Sequence, residues 1–346
     1  MPRTMRAAVL RELKTPLGIE EVPMPEPKPG EVLIKVVACG VCHSDVHAVD
    51  GDWDPLPKLP LIPGHEAAGF VAACGAGVGS VKEGDAVGVP WMWSACLECE
   101  TCLGGDETIC AKGESTGYSM PGGYAEYIVA PAAFVGRLPA TADMVGLAPV
   151  LCAGVTVYRG LKRTRARPGQ WAVVFGVGGL GHLAVQYARA MGLRVAAVDI
   201  ADDKLRLAAS LGADVVVNAK QADPVRTLKK ELGGGPHAAL VTTPATAAFD
   251  QAIRSLRPAG SCSFIGVPGR DGDQLPVSIG RLIGRELSLR GSSVGSRLDL
   301  AEAIRFAADG QVTVKVERQP LDAVNAVFDR MRRGEVVGRV VLDIAA

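Results

Sequence analysis

The chain has 346 residues, with 37 Lys and Arg against 37 Asp and Glu, so its formal net charge is zero. This length predicts two domains or one large one, and a core that needs no disulfide bonds. A composition of 48% hydrophobic and 21% charged residues excludes an intrinsically disordered or collagen-like chain. The balanced charge also argues against a nucleic-acid-binding protein, whose affinity comes largely from neutralising phosphates.

The sequence carries no sign of export or of a membrane span. Residues 1–6 (MPRTMR) contain no apolar segment of a signal peptide, and the longest uncharged stretch, 168–188, contains five glycines. Nine cysteines, an odd number, then favour metal ligands or redox groups over disulfides. We expect a soluble cytoplasmic protein that binds neither membranes nor nucleic acid.

Residues 1 to about 150 contain short apolar runs separated by Gly and Pro. Examples are EVLIKVVA at 31–38 and DAVGV at 85–89. This pattern is typical of β-strands joined by loops, and it predicts a mostly antiparallel domain.

From about residue 153 to 290, apolar runs alternate with Ala- and Leu-rich stretches of helical period. Such alternation predicts a doubly wound α/β domain with a parallel sheet. The predicted helices are 183–191, 202–211 and 298–308, and a last strand covers 338–344. The predicted strands of the parallel sheet are 171–175, 195–198, 215–217, 238–242, 262–267 and 287–289.

A glycine-rich loop follows the strand 171–175. Its sequence is G-x-G-x-x-G (Gly176, Gly178 and Gly181, with Gly179 and Leu180 between), and it opens a predicted helix. Such glycines permit a tight turn and a close approach of a pyrophosphate to a helix N-terminus. Asp199, which ends the next strand 18 residues later, can hold the two ribose hydroxyls of adenosine and repel a 2′-phosphate. The pattern predicts dinucleotide binding.

Four cysteines lie within 15 residues in the spacing C-x2-C-x2-C-x7-C. Four thiolates at such spacing bind zinc tetrahedrally and fold a short lobe around it. Spacing alone leaves an iron–sulfur cluster open as an alternative. The four candidates are Cys96, Cys99, Cys102 and Cys110.

A second group of potential ligands is dispersed along the chain. It comprises the segment CHSDVH at 42–47, GHE at 64–66 and Cys152. A catalytic zinc keeps one position open and needs fewer protein ligands. Several ligand sets are possible from sequence alone, and Cys39-x2-Cys42 could instead be a redox pair.

Together these motifs resemble the zinc-dependent medium-chain alcohol dehydrogenases, especially the tetrameric yeast and bacterial type. The resemblance covers essentially the whole chain: GHE, the four-cysteine lobe, LCAG at 151–154, GVGGLG at 176–181 and GRVV at 338–341. It implies a GroES-like β-barrel catalytic domain at 1–152 with a zinc lobe at 91–113. An NAD-binding Rossmann domain at 153–291 and a return to the catalytic domain at 292–346 would complete the chain.

The resemblance also implies two zinc ions per chain. It makes Cys42, His65 and Cys152 the catalytic zinc ligands and the four clustered cysteines the structural ones. Asp45 matches the carboxylate that orients the ligand histidine. Glu66 matches a carboxylate that approaches the metal when substrate is absent, and Cys39 is better interpreted as a buried small hydrophobe.

Further roles follow from the same resemblance. Ser44 matches a hydroxyl that relays the alcohol's proton and His47 its terminal base. The substrate pocket would be walled by Trp53 and Trp91. The residues that match cofactor contacts, besides the glycine loop, are His43, Asp199, Lys204, Ile265, Val267, Val294 and Arg339.

The implied reaction is reversible hydride transfer between a small primary alcohol, such as ethanol, and NAD, in a homotetramer. Zinc would lower the pKa of the alcohol and the nicotinamide would accept the hydride. A related dehydrogenase of polyols, aromatic alcohols or formaldehyde adducts is an alternative. A zinc- and nucleotide-binding regulator without turnover is an alternative from another class.

Overall fold

The computed structural model describes residues 3–267 and 274–345. The chain folds as two compact units. The first unit contains the residues up to Cys152, the segment Ser296–Ala308 and the residues from Val314 onward. The second unit contains Ala153–Gly295 and Asp309–Thr313.

The strands are numbered in chain order. They are β1 Thr4–Val9, β2 Gly18–Pro23, β3 Glu31–Val41, β4 Ala67–Cys74, β5 Ala86–Val89, β6 Met92–Ser94, β7 Glu114–Ser115, β8 Tyr127–Pro131, β9 Gly136–Arg137, β10 Trp171–Phe175, β11 Arg194–Asp199, β12 Val215–Asn218, β13 Ala238–Val241, β14 Ser261–Phe264, β15 Ser288–Gly291, β16 Val316–Pro320 and β17 Arg339–Asp343.

The α-helices are numbered in the same way. They are α1 His43–Asp50, α2 Glu100–Leu103, α3 Met144–Leu147, α4 Ala153–Thr164, α5 Gly181–Ala190, α6 Asp202–Ser210, α7 Pro224–Glu231, α8 Thr246–Ser255, α9 Ile279–Arg285, α10 Arg297–Ala308 and α11 Val324–Arg332, with short 3₁₀ helices at Glu107–Ile109, Ala148–Leu151 and Leu321–Ala323.

The first unit is built on a seven-stranded sheet. Its order is β16-β17-β3-β4-β5-β9, with β8 also paired to β3. All of its pairs are antiparallel except β16 with β17. The long strand β3 therefore carries three partners, and its apolar side chains supply much of the core of this unit. The predicted mostly antiparallel fold is confirmed for this part of the chain.

The second unit is a doubly wound parallel sheet in the order β12-β11-β10-β13-β14-β15. Every residue of the central strand β10 is buried, as expected where helices cover both faces of a parallel sheet. The strand order reverses between β10 and β13, which is where ligands bind in such sheets. The glycine loop follows β10 at this switch point.

Several predicted elements begin or end at other residues than expected, and the structure gives the reason for two of the differences. The strand predicted over 262–267 ends at Phe264, because the next two backbone amides, of Ile265 and Gly266, both donate to the carbonyl oxygen of Val241 and leave the regular ladder. The last predicted strand begins at Arg339 instead of Gly338, whose φ of 85° is unsuited to a strand.

No single helix in the two described ranges is long and apolar enough to cross a membrane. The bent pair formed by residues 144–151 and 153–164 passes that test on length and composition only.

Candidate metal centres and cofactor site

Strand pairing in the first unit brings the dispersed ligand candidates together. Cys42 directly follows β3, Glu66 directly precedes β4, and Arg339 opens β17. Because Cys39 of β3 pairs with Ala67 of β4 on one side and with Leu342 of β17 on the other, these strand ends lie side by side.

Four potential metal ligands converge at this point, and all are buried. Their donor atoms, one each from Cys42, His65, Glu66 and Cys152, lie within 4.8 Å of one another. The Nε2 atom of His65 is buried and has no hydrogen-bond partner in the part of the chain that the structure describes. A buried, unsatisfied nitrogen is costly in a folded protein, and a metal ion beside two thiols would satisfy it. The residues present therefore fit a zinc ion.

A hydrogen-bond network around Asp45 fixes the orientation of His65. The carboxylate of Asp45 accepts a hydrogen bond from His65 Nδ1 at 2.8 Å and from the Tyr124 hydroxyl at 2.8 Å. It also accepts from the backbone amides of Cys42 at 2.9 Å and Gly64 at 3.1 Å. With Nδ1 donating to Asp45, the lone pair of His65 Nε2 is available for a metal.

The charged surroundings favour a thiolate at Cys42. Its pKa lies well below the usual value, chiefly because it accepts a hydrogen bond from the Cys152 thiol. Burial opposes this shift, while His65 and Arg339 support it. Burial lowers the pKa of His65, but Asp45 and Cys42 outweigh burial and raise it well above the usual value. Thiolate rather than thiol is the metal ligand, so the state of Cys42 favours metal binding, whereas a metal ion at His65 Nε2 would have to displace a proton there.

Glu66 forms a buried ion pair with Arg339 beside the ligand set. Burial raises the pKa of Glu66 to about 7 although the Arg339 guanidinium lowers it. The second carboxylate oxygen of Glu66 is buried with no hydrogen-bond partner in residues 3–267 and 274–345, and a Cβ atom at Gly40 would overlap that oxygen. Gly40 thus provides the space that the carboxylate occupies. Arg339, which the resemblance places near a pyrophosphate, is 4% exposed and bound to Glu66 in this structure.

Ser44, His47 and the two tryptophans surround the same region of the first unit. The Ser44 hydroxyl lies 3.7 Å from Cys42 Sγ, and His47 Nδ1 lies 2.7 Å from Asp52 Oδ2.

The ring centroids of Trp91 and His65 are 4.9 Å apart in an edge-on arrangement, and those of Trp53 and His47 are 5.1 Å apart. His43, the first residue of α1, is exposed.

Cys39 lies apart from the ligand set. It is fully buried in the core of the first unit, and its Sγ atom lies 3.7 Å from the carbonyl oxygen of Gly40, to which the thiol donates. Burial raises its pKa well above the usual value, which leaves an unreactive thiol.

The four clustered cysteines form a second set of potential ligands. All four sulfur atoms lie within 4.8 Å of one another, and the distances Cys96–Cys102 and Cys99–Cys110 are both 3.9 Å. A zinc ion about 2.3 Å from each of four tetrahedral sulfurs would set them about 3.8 Å apart. The geometry therefore fits a closed four-thiolate zinc site.

A buried carboxylate attaches this cysteine lobe to the rest of the first unit. Glu107 accepts hydrogen bonds from the backbone amide of Arg297 at 2.7 Å and from its guanidinium at 3.0–3.1 Å. Arg297 also lies over the ring of Phe134, 5.0 Å from its centroid. Sequence analysis missed this pair because its members are 190 residues apart and neither belongs to a motif.

The glycine loop of the second unit is closed by Asp199. The backbone amide of Val177, inside the loop, donates to Asp199 Oδ2 at 2.6 Å. Gly176 has a φ of 88°, and a Cβ atom at Gly181 would overlap the carbonyl oxygen of Gly176. A Cβ at Gly178 would meet nothing within 4 Å, so this glycine faces open space. A hydrogen bond therefore connects the glycine loop after β10 directly to Asp199 at the end of β11.

Other candidate cofactor residues of the second unit are spread around the sheet's edge. Leu180 and Gly179 lead into α5, and Lys204 lies half-buried in α6. Ile265 is buried, Val267 is 55% exposed, and Val294 has a positive φ of 38°. The loop that contains Ile265 and Val267 follows β14, at the carboxyl end of the parallel strands.

Two family models match this chain. Residues 28–140 match the alcohol dehydrogenase GroES-like domain, and residues 179–309 match the zinc-binding dehydrogenase family. An alcohol dehydrogenase of Moraxella sp. (strain TAE123) is 53% identical over 339 residues, covering 98% of this chain and 99% of its own.

Solved structures agree with the sequence comparisons. The alcohol dehydrogenase of the hyperthermophilic archaeon Aeropyrum pernix superposes with a TM-score of 0.89 at 36% identity, covering 98% of this chain and 100% of its own. A structure described as an NAD-dependent alcohol dehydrogenase gives a TM-score of 0.91 at 30% identity, with coverage of 98% and 100%. The fold and the resemblance predicted from sequence are confirmed. The chain is an enzyme of the zinc-dependent medium-chain alcohol dehydrogenase family.

Proposed function

We propose that this enzyme transfers hydride reversibly between short primary alcohols, such as ethanol, and NAD. The observation that carries the proposal is the convergence of the Cys42 and Cys152 sulfurs on His65 Nε2, a nitrogen without a hydrogen-bond partner among the described residues. When bound, zinc acts as a Lewis acid that lowers the pKa of the alcohol, and NAD accepts the hydride.

The protein's own groups prepare this chemistry. In the proposal, Cys42, His65 and Cys152 hold the catalytic zinc, and Asp45 keeps His65 Nε2 directed at it through the 2.8 Å hydrogen bond to Nδ1. Glu66 lies beside the ligand set as the carboxylate that approaches the metal when substrate is absent, and its ion pair with Arg339 restrains it. Cys96, Cys99, Cys102 and Cys110 hold a second, structural zinc, giving two per chain.

Proton removal is assigned to Ser44 and His47. In the proposal the Ser44 hydroxyl accepts the proton of the alcohol as it passes its own proton along a relay, and the His47 ring takes up the proton at the end of the relay and releases it to solvent. The hydrogen bond from His47 Nδ1 to Asp52 holds the ring in one orientation and leaves Nε2 as the exchanging atom. A neutral imidazole has one nitrogen that accepts a proton and one that donates, which suits a terminal base.

The preference for NAD over NADP rests on Asp199. Its carboxylate lies at the end of β11 and accepts hydrogen bonds from the amides of Val177, Ile200 and Ala201. A 2′-phosphate beside this carboxylate would meet an uncompensated like charge. The next two residues, Ile200 and Ala201, offer no cationic side chain to the phosphate. Lys204 and the loop after β14 complete the proposed NAD site.

We also propose a homotetramer in the cytoplasm. The tetramer follows from the resemblance to the yeast and bacterial enzymes, and light scattering of the purified protein tests it. Both proposed zinc sites need reduced thiols, which are maintained in a reducing compartment. Cell fractionation tests that location.

An initial-rate panel tests the proposed function. Alcohols from methanol to benzyl alcohol are assayed with NAD and with NADP, using metal-replete protein. We expect the highest kcat/KM with ethanol or a neighbouring linear alcohol and NAD. A higher kcat/KM with polyols, aromatic alcohols or formaldehyde adducts would instead support the related dehydrogenases.

A further inference from the structure

Tyr118 completes a ring of three aromatic side chains in the first unit. Its ring centroid lies 5.6 Å from that of Trp53 and 5.9 Å from that of Trp91, and the two tryptophans lie 5.8 Å from each other. Trp53 also contacts His47, and Trp91 contacts His65. Tyr118 is therefore the third member of a cluster whose other members touch the proposed proton relay and a metal ligand.

Tyr118 is also bonded to the backbone beside each tryptophan. Its hydroxyl donates to the carbonyl oxygen of Pro55, two residues after Trp53, at 2.6 Å. Two residues before Tyr118, the amide of Thr116 donates to the carbonyl oxygen of Trp91 at 2.8 Å. The turn that carries Tyr118 thus joins the segment of Trp53 to the segment of Trp91.

The two tryptophans need such a connection. Both are only partly buried, and Trp53 lies in a loop between α1 and β4 that has no strand partner in the described structure apart from the bridge of Leu61 with Leu10. The described hydrogen bonds of this loop are concentrated at residues 61–64, and a segment with few of them, such as 53–60, moves more than the elements around it. Aromatic contacts have preferred geometries but permit sliding, whereas a hydrogen bond fixes the distance between two chain segments.

We infer that Tyr118 determines alcohol specificity by holding Trp53 and Trp91 at a fixed separation. This inference rests on the proposed function, in which the two tryptophans limit the size of the alcohol. Tyr118 acts through the tryptophans and is a positioning residue. Loss of its hydroxyl should free the Trp53 loop, so that a branched primary alcohol displaces an indole at lower cost.

The test compares Tyr118→Phe with Tyr127→Phe. The first variant keeps the ring and removes the hydroxyl. The second removes a hydroxyl from a tyrosine of β8 that packs in a different cluster of the same unit. For each protein, kcat/KM is measured with ethanol and with 2-methylpropan-1-ol, and hydrogen exchange is measured on peptides covering residues 51–60.

We expect Tyr118→Phe to lower the ratio of kcat/KM for ethanol over 2-methylpropan-1-ol by about three- to tenfold, the effect of one lost hydrogen bond. Exchange in residues 51–60 should rise in the same variant. The Tyr127→Phe variant should change neither quantity. Tyr118→Leu, which also removes the ring, should lower the ratio further.

Other outcomes separate the inference from the proposed function. An unchanged ratio in both Tyr118 variants, with ethanol turnover intact, overturns the inference and leaves the proposed function standing. Equal losses of kcat/KM with both alcohols also overturn it, because they indicate general damage to the site. If the unmodified enzyme oxidises no alcohol in the panel, the proposed function is overturned. The role of Tyr118 in alcohol specificity is then overturned as well, because it rests on that function.

Discussion

His65 Nδ1 donates to Asp45 Oδ1 over 2.8 Å, and both side chains are almost fully buried. The same Asp45 carboxylate accepts the Tyr124 hydroxyl and two backbone amides. One carboxylate thus orients the imidazole, anchors the first turn of α1 and fixes the turn before β4. Such a partner both selects the tautomer of a ligand histidine and increases its basicity.

Replacing Asp45 with Asn should weaken the catalytic metal site. Asn has only one acceptor oxygen and no charge, so at least one of the four donors loses its partner. We expect zinc affinity at this site to fall about ten- to a hundredfold, measured by competition with a chelator. Asp85→Asn, in a loop of the same unit, is the matched control and should retain both zinc ions.

The two cysteine sets should respond differently to substitution. We expect two zinc ions in the metal-replete chain, and about one in either Cys42→Ser or Cys99→Ser. Cys99→Ser should chiefly lower stability, because metal binding in a four-thiolate lobe contributes folding free energy. Cys42→Ser should abolish turnover in a folded protein. Elemental analysis, thermal unfolding and rate measurements check this, and a single zinc in the unmodified chain would contradict it.

Glu107→Gln should destabilise the first unit. The substitution removes the charge of a buried carboxylate that interacts with three nitrogen atoms of Arg297, namely its backbone amide, Nε and Nη2. Because Arg297 is 38% exposed, we expect a loss of about 1–3 kcal/mol in the free energy of unfolding, below the value for a fully buried pair. The control is Glu98→Gln, which breaks an exposed ion pair with Lys112 in the same lobe and should have no measurable effect. Equal unfolding midpoints for the two variants would refute the anchoring role.

Asp199 should control the choice of cofactor. Asp199→Gly should reduce the preference for NAD over NADP, mainly by weakening NAD. Asp199→Asn keeps an oxygen for the Val177 amide but removes the charge, so it should relieve the repulsion of the 2′-phosphate. The measurement is kcat/KM with each cofactor at saturating ethanol. Comparable values with NADP in the unmodified enzyme would show that Asp199 does not discriminate.

Trp91→Ala should enlarge the range of alcohols. A large ring must otherwise be displaced from a packed position, which costs about 1–3 kcal/mol, or about one to two decades in rate. We expect the variant to gain activity on bulky primary alcohols relative to ethanol. Because Trp91 also contacts His65, zinc content is measured in parallel. A variant that retains zinc and the original order of preference would exclude Trp91 as a pocket wall.

Local patterns were sufficient to predict the parallel sheet of the second unit and the mostly antiparallel character of the first, whereas the GroES-like barrel was implied by the family resemblance. The apolar run at β10, the glycine loop and the acid ending β11 lie within 29 residues, so their order along the chain determines how they fold together. The sequence assigned the loop and Asp199 to one dinucleotide site, but it did not predict the hydrogen bond from the Val177 amide to Asp199. The spacing of the four clustered cysteines similarly predicted one lobe, and their sulfur atoms do converge.

Contacts between distant segments could not be predicted in this way. The pairs Glu66–Arg339 and Glu107–Arg297 join residues 273 and 190 positions apart. They depend on β17 and α10 returning to the first unit, which no local pattern specifies. The role of Tyr118 was missed for the same reason. A tyrosine in a glycine-rich turn has no distinguishing pattern until its hydroxyl meets Pro55, 63 residues earlier.

The central claim is that the buried set around His65 oxidises a primary alcohol with NAD. The most direct measurement follows the absorbance of reduced nicotinamide after ethanol and NAD are mixed with metal-replete enzyme, in parallel with Cys42→Ser. We predict steady formation of reduced cofactor by the unmodified enzyme and none by the variant. Turnover of equal rate in both proteins, or none in a fully metallated enzyme, would contradict the claim.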